Sequence, residues 1–321
     1  MVEVEKDKRS KFVISYNASN AKPFVKWAGG KSQLLGEILG SFPLGFRGLK
    51  DVVYVEPFIG GGAVLFAMLK NFSNIEHAVA NDINPRLMKT YKIIKHFPQE
   101  LIGELLLLQE AYLPLSHGAR TEMFLAARKR FNEEQLSDVQ VAAYFIFLNR
   151  TCFNGLYREN AKGKFNVPHG RYRNPLICDE GTIMADSELL QKVELLCGDF
   201  SNTLKYAGAR TFYYFDPPYK PLSATSSFNS YVKESFGDEE QVRLRFFCDE
   251  VSRRGSLFLL SNSDLKGKDA NDNFFDDLYA SYSIKRVYAR RAINANPAKR
   301  GCLSELLVTN ISSNEVGRER V

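Results

Sequence analysis

Two rhythms of apolar and polar positions alternate along this chain. Short apolar, β-branched or aromatic runs recur at Val52–Val55, His77–Ala80, Val193–Cys197, Thr211–Phe215 and Ser256–Ser261. Such runs have the composition of buried strands. Between them, helices are predicted at Ser32–Leu39, at Ala63–Leu69, after Asn84-Pro85 and over about Asp238–Arg253. Asn84 is a favoured N-cap and Pro85 suits the first helical position. Leu87, Tyr91 and Ile94 then make that helix's apolar face. Two late strands are predicted near Ser283–Ala289 and Glu305–Asn310. Strands alternating with helices predict an α/β fold on a mixed, mostly parallel sheet.

The alternation stops at Phe97 and resumes at about Gln191. In between, Leu101–Gln109, Thr121–Asn132 and Asp138–Asn149 read as helices, the last one buried because Val141–Leu148 is entirely apolar. A polar, basic, glycine-containing stretch follows, Arg150–Pro175. The predicted organisation is a discontinuous catalytic domain over 21–96 and 191–312, with a mainly helical insertion at 97–190. Residues 1–20 read as a weakly ordered leader and 313–321 as a tail.

Composition narrows the classes. With 321 residues, 45% hydrophobic and 25% charged, the chain is an ordinary soluble globular protein with room for one large and one smaller domain. A net charge of +6 leans toward an anionic partner. The five cysteines and four histidines are scattered without metal or disulfide-framework spacing, so no metal site is expected. Reduced thiols fit a cytoplasmic protein. No run approaches the roughly 20 apolar residues of a membrane span.

The predicted strand Thr211–Phe215 ends abruptly in Asp216-Pro217-Pro218-Tyr219. Neither proline can donate to a sheet ladder and both fix φ. A carboxylate, a fixed carbonyl and an aromatic ring are thereby presented at a strand's carboxyl end, where open α/β sheets bind ligands. The plain alternative is a rigid turn. A second candidate is Glu56-Pro57-Phe58-Ile59-Gly60-Gly61-Gly62, between a strand and a helix, with Asp82 ending the next strand. A glycine-rich turn followed by an acid about 20 residues on describes nucleoside binding, the acid accepting from ribose hydroxyls. Otherwise it is a tight turn needing positive φ. Asp199 ends a third strand, where it serves an exocyclic amine or caps the helical turn Ser201–Tyr206, and the two are compatible. Lys26, Trp27 and Lys31 frame Gly29-Gly30. Lys31 is suited to neutralise a carboxylate or phosphate, and the alternative is a core tryptophan beside a surface loop.

In the basic stretch, Arg150, Arg158, Lys162, Lys164, Arg171 and Arg173 stand against one acid, Glu159, with Phe153, Tyr157, Phe165 and Tyr172 interleaved. Cations for phosphates and aromatics for bases make a nucleic-acid surface; a solvated basic loop is the alternative. Around an Asn154-Gly155 turn, a hairpin could use Arg158 to read guanine. A second basic segment, Lys285–Arg300, could line the same nucleic acid.

The tetrad suits one chemistry in particular. An aromatic amine is a poor nucleophile because its lone pair is delocalised into the ring. If Asp216 and the Pro217 carbonyl each accept one N–H, the lone pair turns toward an electrophile, while Tyr219 stacks on a base that has left its helix.

FVKWAGGK (Phe24–Lys31), EPFIGGG (Glu56–Gly62), the block Leu148–Pro175, and Asp216–Tyr219 followed by Pro221–Thr225 stand in the order found in Dam-type (DPPY, alpha-group) DNA adenine methyltransferases, which the chain resembles over nearly all of 22–310. The resemblance implies a Rossmann-like core, S-adenosylmethionine as donor and the exocyclic amine of adenine in double-stranded DNA as acceptor, reached by base flipping. It implies Asp216, Pro217 and Tyr219 as catalytic residues. Trp27, Lys31, Phe58, Gly60, Gly62, Asp82 and Asp216 match the family's cofactor site, with Lys31 facing the methionine carboxylate and Asp82 the ribose; Asp199 joins them. The insertion resembles a target-recognition domain. There Asn154, Leu156 and Arg158 match a base-reading hairpin, with Phe153 where relatives often carry Tyr. Arg171 and Tyr172 match a phosphate-contacting and wedging region, and Lys26 reaches the first base. Members with this hairpin commonly recognise GATC, and some work beside a restriction endonuclease. Amino-methyltransferases acting on RNA or cytosine share variants of the tetrad, and a non-catalytic DNA-binding relative is a third reading.

Overall fold

The structure, a computed structural model, describes residues 20–43, 45–219, 236–267, 269–290 and 302–312. The leader call, apart from Asn20, the Pro221–Thr225 motif, the 291–300 part of the second basic segment and the 313–321 tail lie outside the described residues.

Seven strands form one sheet: β1 (Val52–Glu56), β2 (Ile75–Asp82), β3 (Val193–Cys197), β4 (Thr211–Phe215), β5 (Leu257–Ser263), β6 (Ser283–Arg290) and β7 (Cys302–Thr309), in the order β3-β2-β1-β4-β5-β7-β6. The first five are mutually parallel, while β7 runs antiparallel to both β5 and β6. The chain steps from β1 outward to β2 and β3, then crosses back to lay β4 on the other side of β1. Strand order therefore reverses between β1 and β4, the position at which doubly wound sheets open a crevice. Their register, Val53 opposite Thr211 and Val55 opposite Tyr213, brings the ends of both strands, Glu56 and the Asp216 that follows Phe215, to the same carboxyl edge.

Every residue of β4 is buried. The period of two explains how: Phe212 and Tyr214 join the apolar cluster on one face, Tyr213 and Phe215 the cluster on the other. The first cluster is covered by α1 (Leu35–Leu39), α2 (Ala63–Asn71) and α3 (Pro85–His96). In α3 the predicted cap is present, Asn84 Oδ1 accepting from Arg86 and Leu87 N–H at 3.0 Å each.

The inserted helices are α4 (Pro98–Tyr112), α5 (His117–Glu133), α6 (Asp138–Thr151) and α7 (Glu180–Leu190). A Ser137–Gln140 capping box starts α6, which is buried almost all round. Its Phe145, Ile146 and Leu148 belong to the same apolar cluster as Leu87, Tyr91 and Ile94 of α3, so the insertion packs directly on the sheet's helical cover. No sequence expectation covers α7. Its signals were Asp179, which caps it by accepting from Thr182 N–H at 3.3 Å, and the apolar pair Ile183 and Leu190. On the opposite face lie α8 (Asp238–Arg253) and α9 (Phe274–Leu278). No helix among the described residues is long and apolar enough to cross a membrane.

Two buried polar groups hold the parts in place. Asn149, on the last turn of α6, accepts from Lys26 N–H (2.9 Å) and donates to the Lys26 and Gly155 carbonyls (2.9 Å each). It thus ties the amino-terminal segment to the stretch that follows α6. Replacing Asn149 by Ala strands all three backbone groups and is expected to cost about 1–3 kcal/mol or more; thermal unfolding measures this, and a loss below about 0.5 kcal/mol would refute the clamp.

Glu56, at the end of β1, accepts from Tyr54 Oη at 2.6 Å and is buried. Burial pushes its carboxyl up to about 8, against the lowering effect of the Tyr54 hydrogen bond. Both folded and unfolded chains hold this proton at acid pH. As pH rises past the ordinary carboxylate range the unfolded chain ionises first, so folding is progressively penalised until pH passes about 8. Glu56→Gln removes that penalty. Its melting temperature should exceed the wild-type value at pH 8 and converge with it near pH 4.5; parallel curves would show that Glu56 is ionised in the fold.

Candidate active site

A cavity of ≈1020 Å³ opens at the carboxyl ends of β1, β2 and β4. That is the upper end of the range for small-molecule sites. All the sequence-predicted cofactor and catalytic residues line it: Trp27, Lys31, Phe58, Gly60, Gly62, Asp82, Asp199, Asp216, Pro217 and Tyr219. Lys26 lines it too, from the side nearest the insertion.

The glycine loop is braced from β2. Asn81, buried, donates to the Pro57 and Gly198 carbonyls at 3.0 and 2.9 Å, joining the loop to the segment after β3. Asp82 accepts from Gly60 N–H (3.0 Å) on Oδ2 and from Asn84 N–H (2.9 Å) on Oδ1. It therefore shapes the loop and the start of α3 as well as facing the cavity, and burial raises its pKa. Gly60 sits at φ +48°, and a Cβ there would lie 2.7 Å from Trp27 Cδ1. Glycine is needed for both reasons. The Trp27 indole in turn stacks on Tyr157, ring centroids 5.7 Å apart. It is a packing residue between the cavity and the insertion.

Asp199 caps the helical turn Phe200–Tyr206, accepting from Ser201 N–H at 2.9 Å, and pairs with Arg243. Burial alone would raise its pKa, but the bonds from Arg243 and Ser201 outweigh this and hold it below the usual value. Phe58, Phe200 and Phe236 form an aromatic group nearby, with Phe58 5.3 Å from Phe200 and 5.6 Å from Phe236 between centroids.

At the tetrad, Asp216 Oδ1 receives Lys31 Nζ at 2.6 Å and Ser261 Oγ at 3.2 Å. Among the described residues neither Oδ2 nor the Pro217 carbonyl accepts a hydrogen bond, and both residues line the cavity. Burial raises the Asp216 pKa, while Lys31 opposes that. Lys31 is itself buried, bonded to the Gly29 carbonyl (2.9 Å), and sits 4.7 Å from the Tyr219 ring centroid. Gln241 fixes the Pro218 carbonyl at 3.3 Å.

The stretch after α6 folds back on itself. Phe153 N–H donates to Pro168 O (2.8 Å), Asn166 N–H to Arg158 O (3.1 Å) and Asn160 N–H to Lys164 O (2.9 Å). The hairpin tip is thus Asn160–Gly163, not Asn154-Gly155. The latter is a tight turn where the chain leaves α6, with both residues at positive φ. Its Gly155 is covered by Lys26, whose Cδ would be 2.4 Å from an added Cβ. Phe153, Asn154, Leu156 and Arg158 are exposed together on this hairpin, Arg158 Nε donating to Asn166 Oδ1 at 2.8 Å. Arg171 is held at φ +57°, and Arg120 supports the turn through the Arg173 carbonyl (2.7 Å). Tyr172 lies under Lys26, 5.3 Å from Nζ to ring centroid.

Several residues of the basic stretch do other work. Arg150 turns inward, donating twice to Phe24 O at 3.1 and 2.7 Å, and burial lowers its pKa. Phe165 is core, and Tyr157 packs on Trp27 and Phe145 while donating to Glu159. Lys285 and Arg286 of the second segment are neutralised by Glu37 (2.7 Å) and by Asp264 and Asp276 (3.2 and 2.8 Å). Sequence reasoning missed Ser261 and Glu305, and it named Glu56 only as the start of the glycine-loop motif. For Glu305 the signal was a lone acid within the apolar run Leu303–Val308. Among the described residues no group of three His, Cys, Asp or Glu is placed to hold a metal.

The chain matches the family described as D12 class N6 adenine-specific DNA methyltransferase over residues 27–293. It is 45% identical over 292 residues to Type II methyltransferase M.MjaIII of Methanocaldococcus jannaschii, covering 90% of this chain and 99% of that one. It is 38% identical over 305 residues to Type II methyltransferase M1.LlaDCHI of Lactococcus lactis subsp. cremoris, covering 93% and 98%. With the DNA adenine methylase of Escherichia coli it shares 32% over 286 residues, 89% and 94% of the two chains. An α/β sheet reversing at β1 and β4, a glycine loop and an Asp-Pro-Pro-Tyr turn on one cavity, and these matches along nearly the whole chain lead to one assignment: the protein belongs to the D12 class of N6 adenine-specific DNA methyltransferases, S-adenosylmethionine-dependent enzymes.

Proposed function

We propose that this adenine-specific DNA methyltransferase acts on an adenine flipped out of duplex DNA within a short recognised sequence, GATC. The observation that carries the transfer step is the pairing of two acceptors, Asp216 Oδ2 and the Pro217 carbonyl, on the wall of the cavity. S-adenosylmethionine, when bound, supplies an electrophilic methyl group. The residues present suit it: a cation in Lys31, acids in Asp82 and Asp199, a glycine loop where a side chain would clash, and the aromatic group of Phe58. The two acceptors take the two N–H bonds of the adenine amine and leave its lone pair directed at the methyl carbon. Tyr219 packs on the base. The methylated nitrogen must then lose a proton, and Asp216, its pKa raised by burial, is the acceptor already bonded to it.

We assign target recognition to the 97–190 insertion. Phe153, Asn154, Leu156 and Arg158, all exposed, run from the turn after α6 into the hairpin and would supply base readout in a major groove. Arg171 and Tyr172 stand beside Lys26, which spans from hairpin to cavity. The Type II names of two relatives support a working partnership with a restriction endonuclease of the same specificity. Substrate DNA and unpaired thiols fit the cytoplasm.

The test is methyl transfer from labelled S-adenosylmethionine to duplexes with and without GATC. Transfer confined to GATC duplexes is expected; none to any DNA would overturn the reading, and transfer only to GATC-free DNA would overturn the specificity. Asp216→Ala should abolish transfer and leave DNA binding largely intact. In the wild type, turnover should fall with acid at a pH above the ordinary aspartate range, because only ionised Asp216 accepts the amine and burial raises its pKa. Arg158→Ala should relax discrimination at one base by about 1–3 kcal/mol. An equal loss on every sequence would make Arg158 a phosphate contact instead.

A further inference from the structure

Behind the cavity wall, β7 places one carboxylate that no motif predicts. Glu305 is buried, 7% exposed, and sits opposite Ser263 of β5 in the sheet register. Its Oε2 accepts from Tyr219 Oη at 2.8 Å and lies 3.7 Å from Lys31 Nζ. Lys31 is thus held between two carboxylates, Asp216 in front and Glu305 behind, with the Tyr219 ring closing the group. Glu305 does not line the cavity, so it has no direct route to substrate.

We infer that Glu305 is a positioning residue for methyl transfer: it anchors the Tyr219 phenol, fixing the ring against which the target base packs, and it offers Lys31 a second anion. The argument is geometric. Tyr219 follows two prolines that fix the backbone but leave the ring's own torsions free. A ring that must meet a planar base needs those torsions set, and one hydrogen bond from its far end to a buried, strand-borne acceptor sets them. The cation does the rest. Asp216 draws Lys31 from one side and Glu305 from the other, which fixes the cation on Oδ1 and leaves Oδ2 to the substrate amine. Ser261 of β5 works in parallel, orienting Asp216 Oδ1 from the neighbouring strand. Two strands thereby orient the two ends of the tetrad, the parallel β5 through Ser261 and the antiparallel β7 through Glu305.

This inference rests on the transfer reading above, and steady-state kinetics on the full chain separates the two. Glu305→Ala should lower kcat by about 100-fold while KM for S-adenosylmethionine and for DNA changes little, as expected when reacting groups are misplaced but binding is kept. Glu305→Gln, which retains an acceptor for the phenol, should recover much of that loss. Tyr219→Phe leaves β7 untouched and keeps the ring; it should lose about tenfold in kcat by the same misplacement. The double variant Tyr219→Phe with Glu305→Ala should be no slower than Glu305→Ala alone, because both remove one contact. Wild-type turnover in Tyr219→Phe, or losses that multiply in the double variant, would overturn the role of Glu305 while leaving the transfer reading intact. An inactive wild type would overturn both.

Discussion

The parallel pairing of β1 with β4 is the constraint on which the rest of this molecule depends. Because the chain goes out to β3 before returning to the far side of β1, the two central strands run in parallel and end at the same edge of the sheet. Glu56 and Asp216 stand at that one edge, where the Asp216 charge adds a little to the burial that raises the Glu56 carboxyl. That raised Glu56 carboxyl accepts from Tyr54, and Lys31 pairs with Asp216.

A second constraint joins cavity and insertion. Trp27 is packed between Gly60 on one side and Tyr157 on the other, and Asn149 clamps the backbone just before it to the Gly155 turn. The amino-terminal segment is therefore a wedge between the glycine loop and the hairpin, not a peripheral strap. Residues that read as candidates for ligand contact turn out to serve this joint: Trp27 by packing, Arg150 through the Phe24 carbonyl, Tyr157 by stacking. Buried aromatic and guanidinium groups are stiff when fully partnered, which suits a joint between the cavity and the inserted helices.

The acids behave as their surroundings dictate. Asp82 and Asp199 each hold local backbone in place, one as brace of the glycine loop and the other as a cap, while facing the same cavity. Structural and ligand-facing duties coincide because a strand's carboxyl end is both where loops need anchoring and where the crevice opens.

What the sequence determined by itself were the features set by neighbours a few residues away. Apolar runs named all seven strands, though β2 and β7 extend beyond their runs because backbone pairing continues through polar residues such as Asn81 and Ser304. Asn84-Pro85 named a helix start, and Asp216-Pro217-Pro218 a rigid display at a strand end. Tertiary structure alone decided which charges are paired and which face outward. Lys31 found Asp216, Lys285 found Glu37, and Arg150 turned to the Phe24 carbonyl. It also brought Glu305 to Tyr219 across 86 residues of chain. Local pattern follows from backbone and side-chain chemistry within one element; ion pairs across a sheet follow from strand order, which no single stretch of residues contains.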